Sequence, residues 1–355
     1  MSKKIILTGG GTAGHVTPNM ALIPELKKKG YEIKYVGSYT GIEKKLIEEM
    51  GVEYQGISSG KLRRYFSMKN FSDPFRVLKG FKEAKKIMKD YNPSIVFSKG
   101  GFVSVPVVLA AKKYKIPVII HESDMTPGLA NRIAMKGASV ICHNFPETAA
   151  SLPDGKAVLT GSPIREELRH GDKAAGLKSL DFTPDKPVIM VMGGSLGAVA
   201  VNNAIRGALD ELLDKYQIIH LCGKGKLDES LKNIPGYKQF EYVKSELTNY
   251  FAAADLLVSR AGANAICEIA ALQKPNILIP LSRKASRGDQ ILNANSFKKQ
   301  GFSEVIEEED VTKESLVNMI NQVYDNREKY IDAMAKSNNN DAITTILDLI
   351  EKNAK

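Results

Sequence analysis

Two short segments carry the residue types that grip phosphate. Gly9-Gly10-Gly11-Thr12-Ala13-Gly14 follows the apolar run Lys4–Leu7, and Gly193-Gly194-Ser195-Leu196-Gly197 follows Val188–Met192. A glycine turn lets the backbone approach a ligand closely, and the helix behind it aims free N–H groups and a positive dipole end at an anion. Gly9, Gly11 and Gly14 satisfy G-x-G-x-x-G, a spacing shared with dinucleotide-binding oxidoreductases. Such enzymes also need an acidic residue at the end of the second strand to hold the ribose. Val36-Gly37-Ser38 supplies none, which disfavours NAD. Neither turn matches G-x-x-x-x-G-K-[ST], which argues against a P-loop ATPase. The chain also lacks an Asp-x-Asp pair, which metal-dependent sugar transferases commonly use to hold a cation on the donor diphosphate. Helix ends and arginines would then stabilise a departing diphosphate, so no metal or other cofactor is expected.

Each glycine turn needs a sheet to position it. Lys4–Leu7, Tyr31–Val36, Ser94–Phe97 and Pro117–Ile120 are strand-like, with helical patterns between them and a first helix running towards Lys29. A second opening starts at Pro187: the strand Val188–Met192, the second turn, then a helix over Ala198–Leu213. Gln217–Leu221, Leu256–Val258 and Asn276–Ile279 follow as strands. Short buried strands alternating with helices imply parallel sheets, and two such openings imply two doubly wound domains. Gly161 and Pro163 break local structure, which puts the join near Thr160–Pro163. The expected division is 1–162, 163–340 and a last helix, 341–355, able to pack back on the N-terminal domain.

Composition narrows the class. At 355 residues, 43% hydrophobic and 25% charged, the chain can bury a core in each of two domains. Cys142, Cys222 and Cys267 are far apart and form no C-x-x-C pair, which suits a reducing compartment without disulfides or zinc. The apolar run behind Lys3 and Lys4 stops at Gly9, too soon for a secretory core. Phe102–Ala111, the longest apolar stretch, is about half of the roughly 20 residues a membrane helix needs. The net charge of +10 favours nucleic acid, an anionic membrane or a phosphorylated substrate. Lys61–Lys86 mixes Lys61, Arg63, Arg64, Arg76 and Lys79 with Tyr65, Phe66, Phe71, Phe75 and Phe81. That mix suits an anionic headgroup layer, single-stranded nucleic acid, or an amphipathic helix with its aromatics in the core. His143, His170 and His220 show no metal-ligand spacing, and His220 continues an apolar strand as a core residue would.

Six segments, in order, resemble the MurG family of GT-B glycosyltransferases. They are Gly9–Pro18 (GGGTAGHVTP), Lys99–Pro106 (KGGFVSVP), His121–Arg132 (HESDMTPGLANR), Thr160–Arg165 (TGSPIR), Gly193–Asn202 (GGSLGAVAVN) and Ser259–Glu268 (SRAGANAICE), the last continuing to Asp289-Gln290. The likeness runs from about residue 4 to residue 306, and its specificity lies in order and spacing together. Ser162 and Asp124 stand where the family usually has Asn. The resemblance implies a GT-B fold, two Rossmann-like domains facing across a cleft, with UDP-GlcNAc mostly on the C-terminal domain. Glu268 would accept hydrogen bonds from the ribose hydroxyls. Ser195 and its turn would sit beside the diphosphate, with Arg165 and Arg260 at the nucleotide or its phosphates. Gln290 would hold sugar hydroxyls with Asp289 beside it. Ala263, Asn264, Ala265, Ile266 and Cys267 would line the donor with backbone groups, and Val243 would meet the uracil. Thr12, Ala13 and Gly14 would meet the sugar or the acceptor diphosphate. His15, at the start of the first helix, would have a lowered pKa and either take the acceptor's proton or donate to a phosphate oxygen. Glu122, His121 and Asp124 are alternative bases.

The implied activity is inverting transfer of GlcNAc from UDP-GlcNAc to the MurNAc 4-hydroxyl of undecaprenyl-diphosphate-MurNAc-pentapeptide, in peptidoglycan synthesis. The polyprenyl acceptor turns the basic aromatic stretch towards an anionic membrane, so peripheral attachment at the cytoplasmic side of the cell membrane is expected, with no nucleic acid. Other cell-wall synthesis proteins are further expected partners, and the domains would close about Gly161–Pro163. The rival expectations are a diacylglycerol glycosyltransferase or a UDP-GlcNAc 2-epimerase and, outside the enzymes, a nucleic-acid-binding protein built on Rossmann domains, which would bind oligonucleotides with a steep salt dependence.

Overall fold

The computed structural model describes residues 3–60, 69–194, 197–283, 288–337 and 341–355, and in the helix Lys69–Tyr91 it describes side chains from Phe75 onward. The chain divides into two compact units, Met1–Arg165 with Asp341–Lys355, and Glu166–Asn340.

In the first unit the strands are β1 (Lys3–Thr8), β2 (Tyr31–Ser38), β3 (Glu53–Ile57), β4 (Ile95–Ser98), β5 (Val118–Glu122), β6 (Val140–His143) and β7 (Ala157–Leu159). They pair parallel in the order β3-β2-β1-β4-β5-β6-β7. Side chains alternate between faces. Ile5, Leu7, Tyr35 and Phe97 pack on one side with Leu22, Ile23 and Leu26 of the helix Thr17–Lys28. Ile6, Val36, Val96 and Ile120 pack on the other with Ala84 and Met88 of the helix Lys69–Tyr91 and with Val107 and Val108 of the helix Ser104–Lys113. Because both faces are covered, the central strands read as continuous apolar runs. The C-terminal helix Ala342–Asn353 buries Ile346, Leu347 and Ile350 in the first of these cores. Each such side chain contributes roughly 1.5–3 kcal/mol, more than the exposed pairs from Glu351 to Lys29 and Lys3 at 3.0 and 3.5 Å.

In the second unit β8 (Val188–Met192), β9 (Gln217–Leu221), β10 (Tyr237–Phe240), β11 (Leu256–Ser259), β12 (Asn276–Leu278) and β13 (Glu304–Val305) pair parallel in the order β10-β9-β8-β11-β12-β13. The single helix expected over Ala198–Leu213 is two, Val199–Gly207 and Leu209–Lys215. Glycine is a poor helix former, and beyond Gly207 the Ala208 N–H turns back to Ile205 O at 3.1 Å, which ends the first helix.

Strand order reverses between β1 and β4 in one sheet and between β8 and β11 in the other. Doubly wound sheets bind ligands at the carboxyl ends of strands flanking such a point. Both glycine turns leave from those ends.

Candidate active site

In the first unit, Gly9–Gly11 leaves β1 while Lys99-Gly100-Gly101 leaves its neighbour β4. The turns touch. A Cβ at Gly101 would lie 2.3 Å from Gly10 O, and its φ of +85° also demands glycine. Ala13–His15 forms one 3-10 turn before the helix Thr17–Lys28, whose first turn contains Pro18. His15 is half-buried, its Nδ1 3.1 Å from Gly10 O and 3.2 Å from Thr12 Oγ1. A carbonyl only accepts, so Nδ1 carries the proton in that bond and Nε2 keeps its lone pair. Burial lowers the His15 pKa below 6.5, Lys99 adds to the lowering, and Gly10 O and Glu43 oppose it. The direction matches the sequence expectation, with burial as the largest cause.

Glu43, on the helix Ile42–Glu49, was invisible to sequence reasoning. It is fully buried and accepts from Gly11 N–H at 3.2 Å, Ser38 N–H at 3.0 Å and the Ser38 hydroxyl at 2.5 Å.

At the end of β5 the other proposed bases are heavily engaged. His121 is fully buried, with Nε2 2.8 Å from Gly161 O and Nδ1 2.7 Å from Lys99 Nζ. Nε2 therefore donates to the carbonyl and Nδ1 accepts from the ammonium, which also donates to Ser123 Oγ. Burial and then Lys99 hold the His121 pKa well below the usual imidazole value. The Glu122 carboxylate accepts from Asp124 N–H at 3.0 Å, Gly128 N–H at 3.0 Å and Asn131 Nδ2 at 2.9 Å, fastening the loop that follows β5. Burial raises its pKa against the pull of those donors. Asp124 lies half-buried on that loop.

In the second unit the turn after β8 holds Gly194 at φ +80° and Gly197 at φ +68°, and a Cβ at Gly197 would lie 1.9 Å from Cys222 O. Ser195 lies outside the described residues. Beside this turn, β11 leads through Arg260–Gly262 into the helix Ala263–Ala271. Ala263, Asn264 and Ala265 form its first turn, the end of a helix whose dipole favours an anion. Ile266 and Cys267 point into the core, and Glu268 is half-buried in mid-helix. Gly288 at φ +85° precedes the helix Asp289–Lys299, and Gln290 Oε1 accepts from Leu281 N–H at 3.0 Å. Arg260 Nη1 donates to Ile279 O and Pro280 O, each at 3.1 Å, and Nη2 pairs with Glu308, so this guanidinium braces the loop after β12. Val243 is 6% exposed and packs with Tyr250 and Phe251, which leaves its backbone as the part able to meet a base. Arg165 is half-buried at the end of the first unit's main segment. Among the described residues, no three His, Cys, Asp or Glu side chains are placed to hold a metal ion.

Comparison with known proteins agrees with this layout. Residues 5–142 match the glycosyltransferase family 28 N-terminal domain and residues 188–350 its C-terminal domain. A relative from Lachnospira eligens, a UDP-N-acetylglucosamine–N-acetylmuramyl-(pentapeptide) pyrophosphoryl-undecaprenol N-acetylglucosamine transferase, is 64% identical over 99% of this chain and 100% of its own length. A Clostridium botulinum transferase of the same name is 58% identical over 99% and 100%. The crystal structure of Acinetobacter baumannii MurG matches with a TM-score of 0.76 at 25% identity, covering 99% of each chain. A UDP-GlcNAc 2-epimerase from Neisseria meningitidis shares the fold at a TM-score of 0.67 and 12% identity, over 99% of this chain and 100% of its own. Two parallel-sheet units, each with a glycine turn at its switch point, and full-length likeness to these transferases place the chain in glycosyltransferase family 28, among the GT-B enzymes of the MurG family.

Proposed function

We propose that this chain transfers GlcNAc from UDP-GlcNAc to the MurNAc 4-hydroxyl of undecaprenyl-diphosphate-MurNAc-pentapeptide, in one inverting displacement. The observation that carries this is end-to-end identity with transferases of that name, far above the identity shared with epimerases. In the step itself the acceptor oxygen bonds to the anomeric carbon and passes its proton to a base. The bond from that carbon to the UDP oxygen breaks, and its electron pair leaves with UDP. His15 suits the base role because it is neutral near pH 7 and its Nε2 keeps a lone pair. The saturated bonding of Glu122 and His121 argues against them, and Asp124 is the alternative. Thr12, Ala13 and Gly14 would face the sugar or the acceptor diphosphate. On the other unit, the first turn of the helix Ala263–Ala271, with its positive dipole end, and the turn containing Ser195 would stabilise the departing diphosphate. Glu268 would hold the ribose, and Asp289 with Gln290 the sugar.

We further infer peripheral contact with the cytoplasmic face of the cell membrane. Among the described residues, no helix is long and apolar enough to cross a membrane. On the helix Lys69–Tyr91, Phe75 is 75% and Leu78 59% exposed, with Arg76 and Lys79 exposed beside them, while Phe81 turns towards the core. Rings and cations together fit an anionic headgroup layer. Residues 61–68 of the basic aromatic stretch lie outside the described residues, as does the side chain of Phe71.

The test offers several radiolabelled UDP-sugars with and without a lipid-linked MurNAc acceptor. GlcNAc alone should enter the lipid fraction, and only with acceptor present. A new sugar formed without acceptor would instead make the chain an epimerase.

A further inference from the structure

We propose that Glu43 is a positioning residue for this transfer, its carboxylate fixing the tautomer of His15 through the one peptide group that joins Gly10 to Gly11. The inference rests on His15 as the base. Glu43 Oε2 accepts from Gly11 N–H at 3.2 Å. The carbonyl at the other end of that same peptide, Gly10 O, lies 3.1 Å from His15 Nδ1. Carboxylate, peptide and imidazole thus form one chain of hydrogen bonds. A catalytic triad links Asp to His directly; here an amide stands between them.

The carboxylate cannot easily turn away. Its other oxygen accepts from the Ser38 N–H at 3.0 Å and the Ser38 hydroxyl at 2.5 Å. Glycines wall it in: a Cβ at Gly10 would lie 2.4 Å from Oε1, and one at Gly41 2.1 Å from Oε2. An anion on the N–H end polarises the amide and makes its oxygen a stronger acceptor, because hydrogen bonds in a chain reinforce one another. Gly10 O then holds the proton on Nδ1, leaves Nε2 to take the acceptor's proton, and stabilises the imidazolium that results. Among the described residues, Glu43 and Lys99 are the charged groups acting on His15, and they pull in opposite senses. The Thr12 hydroxyl, 3.2 Å from Nδ1, shares the same proton.

Glu43→Gln keeps the size and an acceptor oxygen but removes the charge. We expect kcat to fall about tenfold with donor KM nearly unchanged, and the acid limb of kcat to move down by roughly half a pH unit. Nitrogen-15 NMR of labelled histidine should find the neutral His15 ring protonated on Nδ1 in the wild type and mixed in the variant. Wild-type kcat, limb and tautomer in Glu43→Gln would overturn the proposal. So would a wild-type ring protonated on Nε2, a result that stands even if the variant fails to fold. His15→Ala separates the two layers. Near-normal kcat there removes the base assignment, while the tautomer still reports on Glu43 alone. In the His15→Ala background, Glu43→Gln should lower kcat no further; an equal second loss would mean that Glu43 acts on the loop at large, and would also overturn it.

Discussion

A carboxylate can take two hydroxyl donors at once, which is what a ribose offers, and Glu268 stands half-buried on the helix that leaves the switch point of the second sheet. Hydrogen bonds to a charged group are worth about 1.5–3 kcal/mol. Glu268→Ala should therefore weaken UDP-GlcNAc binding by roughly tenfold to a hundredfold with the fold intact, and calorimetry beside circular dichroism checks both halves of that statement. Unchanged affinity would move the ribose contact to another residue. His15 could be singled out from sequence because it follows its glycine turn directly. Glu43 could not, since Gly11 lies 32 residues away and only the folded unit brings the two together. Arg260 illustrates the same limit. An ion pair could be weighed from sequence, but its partner Glu308 lies 48 residues on, behind two further strands.

A helix that packs by one face leaves the other to its surroundings. On Lys69–Tyr91, Gly80 lies so close to Ser58 O that a Cβ would come within 2.0 Å, while Phe75 and Leu78 stand in solvent. Replacing Phe75 and Leu78 together by Ser removes apolar area worth on the order of 1.5–3 kcal/mol per side chain if both insert into a bilayer. The variant should keep its stability and lose binding to anionic vesicles in sedimentation, and retained binding would move the contact elsewhere. The strands show why sequence located some elements and not others. β1, β4, β8 and β11 lie at the centre of their sheets, buried and apolar on both faces, and their runs stand out. β3 and β10 lie at the edges and read EYQGI and YKQF, mixing polar residues into short stretches that no run marks. β7 and β13 are three and two residues long, and only pairing with a neighbour makes them strands.

Each unit repeats one device beneath its glycine turn. Asn19, on the helix after the first turn, donates to Thr8 O at 3.2 Å and to the Tyr35 hydroxyl at 3.1 Å. Asn202, on the helix after the second, donates to Cys222 O at 2.9 Å and accepts from His220 Nε2 at 3.0 Å. Tyr35 and His220 pair with Leu7 and Val191, the penultimate residues of β1 and β8, so the two polar ties occupy equivalent places in the two sheets. In the second unit the tie titrates. His220 Nδ1 accepts from the Tyr237 hydroxyl at 2.8 Å, and burial first, then Arg206, pushes the pKa from 6.5 to about 3. A histidine depressed in the folded state takes up its proton more readily when unfolded. Its contribution is therefore complete above pH 6.5 and is lost as pH falls from there towards about 3. Going from neutral pH to about pH 5 should cost the second unit about 2 kcal/mol through this group alone. His220→Gln can donate to Asn202 and accept from Tyr237 without titrating. Urea denaturation should show the variant less stable than the wild type at neutral pH, with the gap closing by about that amount near pH 5. A gap that stays constant across this range would mean that His220 is not held neutral by its burial, and that the tie in the second unit is as insensitive to acid as the tyrosine that fills the same place in the first.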